Sequence, residues 1–556
     1  MTSFEPLVDS PELRKARGAF FTPAALCSYV VNWAVRDAAD RVLEPACGEA
    51  AFLTAAGERL MELAAQSRRP AAALHGVELH EHSARHAAAV VRAQGNDVQV
   101  DVGDFFTFSP EPVYDVVIGN PPYVRYQDFA GEARMRSREA ALRAGVPLTG
   151  LASSWAAFTV HAALFLKPGG RLGLVLPAEL LSVNYAAPIR RFLMERFQSL
   201  RLVMFTERVF PGVMEEVVLI LADGFGRGSA KHCDIYQAKN TTDLHQAIEQ
   251  RWTPVDLEAK WSPSLLSESA LDAYESLAAS SMFSTLLAWG ETTLGMVTGN
   301  NKYFMMSPAQ VAELGLSPDE LLPMSPPGSR HLRGLEFTKA AWRELGSDGM
   351  ATLLLRPMGE PSPEAKAYFA KGEKDKVDQA YKCRVRKPWW RVPLVAKADM
   401  FLTYMNADTV RLCQNSAGVH NLNSVHGVYL RKGVLQLGKK NLPIATLNSM
   451  TLLSAETVGR AYGGGMLKVE PKEADQLIVP SKMLVENAQG DLASIRPQVA
   501  RFLQTGKLFE AVRLVDDVLL SAHVKMNRTQ IKALRTSHME LRKRRASRGA
   551  SARDSN

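Results

Sequence analysis

A chain of 556 residues, 46% of them apolar, is long enough for two or more domains with sizeable cores. The absence of any apolar run of about 18 residues argues against a membrane span, and the start of the chain lacks a secretory signal. The net charge of +8 fits a polyanionic partner, whereas five scattered cysteines predict neither a disulfide framework nor a zinc site. We therefore expect a cytoplasmic protein without a metal site.

The first predicted helix begins at Thr22-Pro23 and continues to about Val35. Threonine is a favoured N-cap residue and proline a favoured first helical residue, so an ordinary capped helix explains the pattern. The alternative is that the segment from Gly18 to Pro23 covers a bound cofactor.

A short strand at Val42-Leu43 leads into the turn from Glu44 to Gly48, and small residues then open the next helix. Such a turn lets the backbone approach a ligand closely. The acidic Glu44 disfavours a pyrophosphate. It favours a ligand with positive charge, such as a sulfonium that also carries an α-amino group.

Two further strands are predicted to end beside acidic residues. The strand from Leu74 ends at Glu78, whose carboxylate can accept hydrogen bonds from ribose hydroxyls. The next strand begins at Val98 and is followed by Asp104 and Phe105, which can bind an adenine amino group and pack on its ring. A solvated strand end and an ordinary turn are the alternatives.

The stretch Tyr114 to Tyr126 reads YDVVIGNPPYVRY, which predicts a buried strand followed by a rigid loop. The amide oxygen of Asn120 and the carbonyl of Pro121, side by side, can accept both hydrogens of an exocyclic NH2 group. Tyr123 offers an aromatic face for a flat base, although a proline-rich surface turn is the alternative. Four strands at βαβ intervals predict a parallel α/β sheet with ligands bound at its carboxyl edge.

The segments RGAFFTP, LEPACGEAAFL, GVE, GDFF and NPPYVRY follow the order found in the amino-group DNA methyltransferases that use S-adenosylmethionine. The N-terminal position of the FFTP segment resembles their gamma class, which modifies adenine N6. The resemblance covers about residues 13 to 222 and includes the NPPY motif. One departure is Ala50, which stands where the family often has glycine.

The resemblance implies an S-adenosylmethionine site and an adjacent site for an adenine flipped out of the duplex. The residues implied for the cofactor site are Thr22, Glu44, Ala46, Gly48, Glu78, Asp104 and Phe105. Those implied for catalysis are Asn120, Pro121, Pro122, Tyr123 and Phe210. In this assignment Asn120 and Pro121 hold the adenine N6 group. Tyr123 and Phe210 sandwich the base, and no metal is required.

Beyond about Gly226 the alternation of strands and helices becomes irregular, and basic residues occur among aromatic ones. The stretch Tyr381 to Pro393, YKCRVRKPWWRVP, has a composition that can pair with phosphates and stack on bases. A strand with arginines over a tryptophan core is the alternative. The predicted DNA contacts are Arg125, which follows the NPPY motif, and, in the second half, Lys302, Arg384, Arg386, Lys387, Trp389 and Trp390.

These observations predict a Rossmann-like S-adenosylmethionine-dependent methyltransferase domain at residues 1–225, an α/β fold. A mixed α+β target-recognition domain follows at 226–540, and a basic tail at 541–556 is predicted to be disordered. The expected function is site-specific methylation of adenine N6 in double-stranded DNA held in the cleft between the domains. The resemblance implies a bacterial or archaeal protein in a restriction-modification or related defence system, in which a separate gene would encode a cognate restriction endonuclease.

Two other functions remain open, and a third is not expected. The same loop chemistry would serve cytosine N4, an RNA base or a glutamine amide of a protein. A DNA-binding subunit without activity is a second possibility, which the intact NPPY motif disfavours. A fused nuclease is not expected, because no nuclease motif is recognisable.

Overall fold

The structure is a computed structural model that describes residues 22–207, 209–210, 216–254, 256–462 and 465–550. It divides into two compact units, Met1–Ser264 and Leu265–Asn556. This boundary differs from the one predicted after residue 225, because two later strands belong to the sheet of the first unit. Within the described residues, no helix combines the length and apolar content needed to cross a bilayer.

The first unit is built on a mixed sheet. Its strands are β1 Val42–Glu44, β2 Leu74–Glu78, β3 Val98–Val102, β4 Tyr114–Gly119, β5 Leu166–Pro177, β6 Ser199–Phe205, β7 Val217–Asp223, β8 Cys233–Ala238 and β9 Ile248–Trp252. They lie in the order β3-β2-β1-β4-β5-β7-β6-β8-β9. The pairs among β1 to β5 are parallel, which confirms the predicted α/β sheet. Strand β7 runs antiparallel to both β5 and β6, and β9 runs antiparallel to β8.

Helices connect and cover these strands, and an apolar core fills the space between the two. The helices of the first unit are α1 Ala24–Ala34, α2 Ala51–Ser67, α3 Glu81–Ala93, α4 Gly131–Arg143, α5 Ser154–Ala163, α6 Glu179–Ser182 and α7 Ala187–Arg196. Strand β4 is buried along Val116, Val117 and Ile118, as expected for a central parallel strand covered on both faces.

The order of the strands reverses between β1 and β4. From β1 the chain moves outward to β2 and β3, and it then returns to place β4 on the other side of β1. Open α/β sheets bind their ligands in the crevice at such a switch point, beyond the carboxyl ends of the strands. Here those ends are Glu44 and Gly119, the residues that open the two principal sequence motifs.

The second unit contains several smaller sheets. Its strands are β10 Phe283–Thr285, β11 Gly290–Leu294, β12 Met305–Met306, β13 Leu321–Pro323, β14 Glu336–Phe337, β15 Leu353–Leu355, β16 Met400–Thr403, β17 Met405–Asn406, β18 Leu412–Asn415, β19 Val425–Leu430, β20 Arg460–Tyr462, β21 Met466–Lys468 and β22 Ile478–Pro480. A five-stranded sheet has the order β11-β19-β16-β18-β14, beside the groups β12-β15-β13, β17-β21-β20 and β10-β22.

Helices of very different length accompany these sheets. They are α8 Glu268–Ala279, α9 Leu286–Trp289, α10 Asn301–Phe304, α11 Pro308–Leu314, α12 Lys339–Ser347, α13 Pro363–Lys374, α14 Tyr381–Arg384, α15 Leu435–Ala445, α16 Ser449–Val458, α17 Pro471–Ala474, α18 Lys482–Gln504, α19 Leu508–Asp516 and α20 Arg528–Ala550. The mixture of helices and strands agrees with the α+β character predicted for this half of the chain.

The prediction of a disordered tail from residue 541 was wrong for the part of it that the structure describes. Helix α20 continues to Ala550. Within it, Arg545 is buried and forms an ion pair at 2.8 Å with Glu456, whose side chain is only 3% exposed. Arg545 therefore has a structural role as the partner of a buried carboxylate, whereas the basic composition of the tail predicted that it would face solvent. Residues 551–556 lie outside the described residues.

Candidate active site

The carboxyl ends of β1 and β4 bring the acidic turn and the asparagine loop together. Glu44 is 3% exposed, and its Oε2 accepts a hydrogen bond of 3.0 Å from the backbone N–H of Leu53. A Cβ atom built on Gly119 would lie 3.9 Å from Oε1 of Glu44. The residue before Asn120 therefore faces the carboxyl group that the sequence predicts for the cofactor site, with room for little more than one carbon atom between them.

The turn after β1 uses left-handed backbone conformations at two positions. Gly48 has a φ of +49°, and a Cβ built there would meet no atom within 4 Å. Ala50 is buried and has a φ of +67°, a conformation that costs a non-glycine residue about 1–2 kcal/mol. Alanine thus adopts the backbone geometry that glycine would supply in the resembling family, and the strain lies at the predicted site.

The carboxyl group of Glu44 is suited to a cationic ligand. Burial raises its pKa well above the usual range; the Leu53 amide opposes this shift, and the charge of Glu78 adds to it. Among the residues that the structure describes, no lysine or arginine forms an ion pair with Glu44. A buried acid without a cation, beside an open turn at Gly48, fits a ligand that carries both a sulfonium and an ammonium group.

Glu78 and Asp104 both lie at the carboxyl ends of strands, as predicted, but each already has partners in the protein. Glu78 accepts hydrogen bonds from the backbone N–H groups of Gly48, at 2.9 Å, and His80, at 3.0 Å. Asp104 accepts from the N–H of Phe106 at 3.0 Å. Glu78 therefore braces the turn after β1, and its predicted contact with a ribose remains a prediction.

Phe105 is buried, contrary to the expectation of a ring open to the cofactor. Its ring centroid lies 4.9 Å from that of Phe158 and 5.1 Å from that of Phe165. Only 4% of the residue is exposed, which leaves little of its surface for an adenine ring. Ala46 lies in the turn after β1 and is half-buried.

Both ends of the Asn120 amide are hydrogen-bonded. Its Nδ2 donates to Oγ1 of Thr22 at 3.1 Å, and its Oδ1 accepts from the hydroxyl of Tyr123 at 2.6 Å. The prediction that Thr22 caps α1 was wrong, since the N-cap residue is Pro23 and no side chain caps this helix. Thr22 is instead buried against the asparagine loop, and the hydroxyl orients the amide.

The rest of the NPPY loop is held by groups that the sequence did not indicate. Ser154, at the start of α5, donates to the Pro122 carbonyl and accepts a 2.9 Å hydrogen bond from the N–H of Val124. The Tyr123 hydroxyl lies 2.9 Å from the carbonyl oxygen of Val175 in β5. Among the described residues, no group donates to the Pro121 carbonyl. No local signal marks Ser154 or Val175, because their roles depend on contacts distant in sequence.

Tyr123 and Phe210, predicted to enclose a base, belong to one apolar cluster. Tyr123 is half-buried and packs against this cluster, whereas Phe210 is buried within it and only 4% exposed. Phe210 is therefore closed off, where a ring open to a base was expected. Arg208 and residues 211–215, which flank it, lie outside the described residues, as do Gly18 to Phe21 of the N-terminal motif.

The residues predicted to contact DNA fall into two groups. Arg386 donates to the backbone carbonyls of Thr298, at 2.6 Å, and Val297. Trp389 and Trp390 are half-buried; Trp389 donates to Glu373 at 2.9 Å, and Trp390 stacks on Phe369 with centroids 4.9 Å apart. These three side chains support the local fold, and their predicted contacts with DNA remain predictions. The exposed members of the set are Arg125, Lys302, Arg384 and Lys387.

Two family models match the chain in sequence. Residues 8–260 match the N-6 DNA methylase family. Residues 258–520 match the C-terminal domain of the Type II methyltransferase M.Eco57I. The boundary between the two matches lies within a few residues of the boundary between the compact units, which ends the first unit at Ser264.

Curated relatives match the chain over most of its length. The Type II methyltransferase M.AccI of Acinetobacter calcoaceticus is 23% identical over 491 residues, 87% of this chain and 88% of the relative. The Type II methyltransferase M.XamI of Xanthomonas campestris pv. amaranthicola is 25% identical over 474 residues, 84% of this chain and 85% of the relative.

A solved structure of similar fold is the Type IIL restriction-modification enzyme MmeI in complex with DNA. It is 12% identical, has a TM-score of 0.59, and its match covers 94% of this chain and 75% of that one. At this identity the likeness concerns the fold alone. The sequence matches identify residues 8–260 as an N-6 DNA methylase domain, and together with the Type II relatives they support a restriction-modification type of methyltransferase that uses S-adenosylmethionine.

Proposed function

We propose that this protein transfers a methyl group from S-adenosylmethionine to N6 of an adenine at a specific site in double-stranded DNA. The observation that carries the proposal is the Asn120 amide, which Thr22 and Tyr123 hold at the end of β4, next to the acidic turn at Glu44. A fixed amide oxygen, together with a Pro121 carbonyl to which no described residue donates, suits a planar NH2 group.

The chain supplies two hydrogen-bond acceptors to the amine. An amide oxygen has two lone pairs, so Oδ1 of Asn120 can keep its bond to Tyr123 and still accept one hydrogen from the base. The Pro121 carbonyl accepts the second hydrogen. Both contacts draw the nitrogen lone pair out of the aromatic ring and increase its nucleophilicity. The cofactor supplies the methyl group as an activated sulfonium, so the protein contributes mainly orientation and these acceptors.

The hydroxyl of Tyr123 can release Asn120 without losing its own hydrogen bond. It carries one hydrogen and lies near two acceptors, Oδ1 of Asn120 at 2.6 Å and the Val175 carbonyl at 2.9 Å. Rotation of the O–H bond toward Val175 frees Oδ1 completely while the ring stays in place. This exchange prepares the loop for a base that must first leave the duplex, because N6 is paired and stacked there.

The direct test is to incubate the purified protein with labelled cofactor and unmethylated genomic DNA, and then to map modified bases by single-molecule sequencing. The expected product is N6-methyladenine at one recurrent sequence. Methyl groups found on cytosine would be consistent with the acceptor mechanism but would contradict adenine as the substrate. Cofactor binding without transfer to any DNA would support a non-catalytic subunit and contradict the proposal.

The biological setting proposed is a restriction-modification or related defence system, in which methylation protects host sites from a separately encoded cognate endonuclease. Support comes from the Type II methyltransferases that resemble this chain over most of their length. Digestion of methylated and unmethylated host DNA with an endonuclease encoded nearby tests this setting, and protection of the methylated DNA is the expected result.

A further inference from the structure

The second unit presents an exposed basic surface that two separate stretches of sequence build together. We propose that this surface, the basic ridge, binds the phosphate backbone of duplex DNA. Its residues are Lys302, Tyr381, Lys382, Arg384, Lys387 and Arg391, all exposed. The inference rests on the proposed function for the identity of its partner, and it assigns the contact to one face of one unit.

The two stretches are joined by close packing. Gly299 has a φ of +89°, and a Cβ built on it would lie 3.0 Å from both Sγ of Cys383 and Cβ of Lys382. The thiol of Cys383 lies 3.7 Å from the carbonyl oxygen of Thr298, to which Arg386 also donates. Glycine permits this approach, so the loop before Lys302 and helix α14 form one structural element.

A largely half-buried aromatic layer supports the ridge from beneath. The ring of Trp389 lies 5.8 Å from that of Tyr303, the neighbour of Lys302, and Tyr303 in turn stacks on Tyr368 at 4.6 Å. Trp390 stacks on Phe369 with an angle of 4° between the rings. The side chains that point inward hold the backbone, and the cations that alternate with them are left to face solvent.

The charges of the ridge are not neutralised within the protein. Among the residues that the structure describes, none of its five cations forms an ion pair. Elsewhere in the same unit, buried or half-buried cations are paired, as in Arg411 with Asp408 and Lys468 with Glu470. Two of these cations lie over aromatic rings, Lys382 over Tyr381 and Arg391 over Trp390, but such contacts leave the positive charge in place. Exposed lysines and arginines that no described acidic group neutralises are the electrostatic footprint expected for a polyanion.

An exposed aromatic residue stands among these cations. Tyr381 is 66% exposed, and Val385, four residues later, is 62% exposed. Val385 caps helix α14, and residues four apart share one side of a helical turn, so the two side chains present neighbouring apolar surface flanked by positive charge. Such a contact suits deoxyribose and base edges between two phosphates, which extends the ridge beyond a purely ionic attraction.

The test compares two variants that lose the same charge. The ridge variant carries Lys382→Gln, Arg384→Gln, Lys387→Gln and Arg391→Gln. The control variant carries Arg501→Gln, Lys507→Gln, Arg528→Gln and Lys532→Gln, at exposed cations of the same unit. Binding of the full-length protein to a labelled duplex is measured by fluorescence anisotropy between low and moderate salt.

Affinity for DNA falls as salt rises, and each phosphate contact adds about 0.9 to the steepness of the plot of log affinity against log salt concentration. We expect this plot to be less steep by about 3 to 4 for the ridge variant, which loses four cations, and nearly unchanged for the control variant. Tyr381→Ala alone is expected to weaken binding several-fold with an unchanged slope. Equal losses in the ridge and control variants would overturn the proposal, because net charge would then explain them. If the ridge variant with four substitutions proves unstable, the same measurement is made on a double variant, Lys382→Gln with Lys387→Gln, which alters the protein less.

The outcome is separable from that of the proposed function. Wild-type protein that methylates adenine, together with a ridge variant of unchanged salt slope, would refute the ridge and leave the activity intact. Wild-type protein that methylates another base, together with a reduced slope for the ridge variant, would retain the ridge and refute adenine as the substrate.

Discussion

The asparagine loop and the basic ridge differ in how their polar groups are used within the protein. In the loop, the two ends of the Asn120 amide are bound by Thr22 and Tyr123. On the ridge, the cations face solvent without ion pairs among the described residues, and only the side chains beneath them are fixed. A group that must meet one atom of a substrate benefits from a fixed orientation, whereas attraction to a polyanion acts over about 10 Å. Substitutions in the loop should therefore change the rate of chemistry, and substitutions on the ridge should change salt-dependent affinity.

The largest effect is expected for Asn120→Ala. Loss of one preorganised partner of the reacting group should lower kcat by about 10²–10³-fold, by analogy with groups that stabilise charge in transition states. The dissociation constant of the cofactor, measured by calorimetry, should stay nearly unchanged. Failure of the variant to bind the cofactor would assign Asn120 to the cofactor site and remove the distinction drawn here.

A smaller effect, on cofactor binding, is expected for Glu44→Gln. Loss of one charge-assisted contact should weaken S-adenosylmethionine by about 1.5–3 kcal/mol in calorimetry. The protein without cofactor should not be destabilised, because glutamine can still accept from Leu53 and need not be charged in a buried position.

The pH dependence of unfolding tests how the charge of Glu44 affects the stability of the protein without cofactor. Burial raises the pKa of Glu44 in the folded protein, so the folded state binds this proton more tightly than the unfolded chain does. Wild type should therefore lose stability relative to the variant as pH rises from the ordinary glutamate range through the raised pKa. Urea unfolding at several pH values measures the difference, and a constant difference would show that Glu44 has an ordinary pKa.

On the ridge side of the comparison, Trp390→Ala should reduce the free energy of unfolding by about 2 kcal/mol, since a half-buried aromatic side chain is removed. The matched change Lys387→Ala, three residues away on the exposed surface, should alter stability by less than about 0.5 kcal/mol. Chemical denaturation distinguishes the two. Similar values for both variants would mean that the segment is not divided into a supporting layer and a charged surface.

The smallest effect is expected for Thr22→Val, which removes the acceptor for Nδ2 of Asn120 at nearly constant volume. One hydrogen bond contributes about 0.5–1.5 kcal/mol, so kcat should fall by about 2–10-fold, with KM for DNA unchanged. Thr22→Ser should restore most of the rate. Thr159→Val, which removes a buried hydrogen bond to Trp155 in α5, is the control and should leave kcat unchanged.

Much of the candidate active site, where the ends of β1 and β4 meet, could be predicted from sequence because its motifs are short and local. A run of buried residues predicts β4, and the residues after a parallel strand must lie at the carboxyl edge of the sheet. Glu44, Glu78 and Asn120 followed from that rule alone. Phe105 and Phe210 did not, because whether a ring after a strand packs inward or faces a ligand depends on neighbours distant in sequence.

The second unit was harder to predict for the same physical reason. A segment rich in arginine and tryptophan has the same composition whether these side chains contact DNA or support a loop. The sequence YKCRVRKPWWRVP therefore could not reveal which of its residues face solvent and which support the fold. The carbonyls of Val297 and Thr298, about 90 residues earlier in the chain, decide the role of Arg386. Likewise, Glu456 decides that Arg545 is buried.

The amino-acid sequence by itself determined the identity of the strands, their ligand-binding edge and the chemistry available there, because these depend on local periodicity and residue type. The tertiary structure alone decided which partner each polar group has. It turned Thr22 from a helix cap into the residue that orients Asn120, and it divided the basic segment between support and surface. A hydrogen bond needs two groups that folding brings together, and the local sequence around one group does not identify its partner.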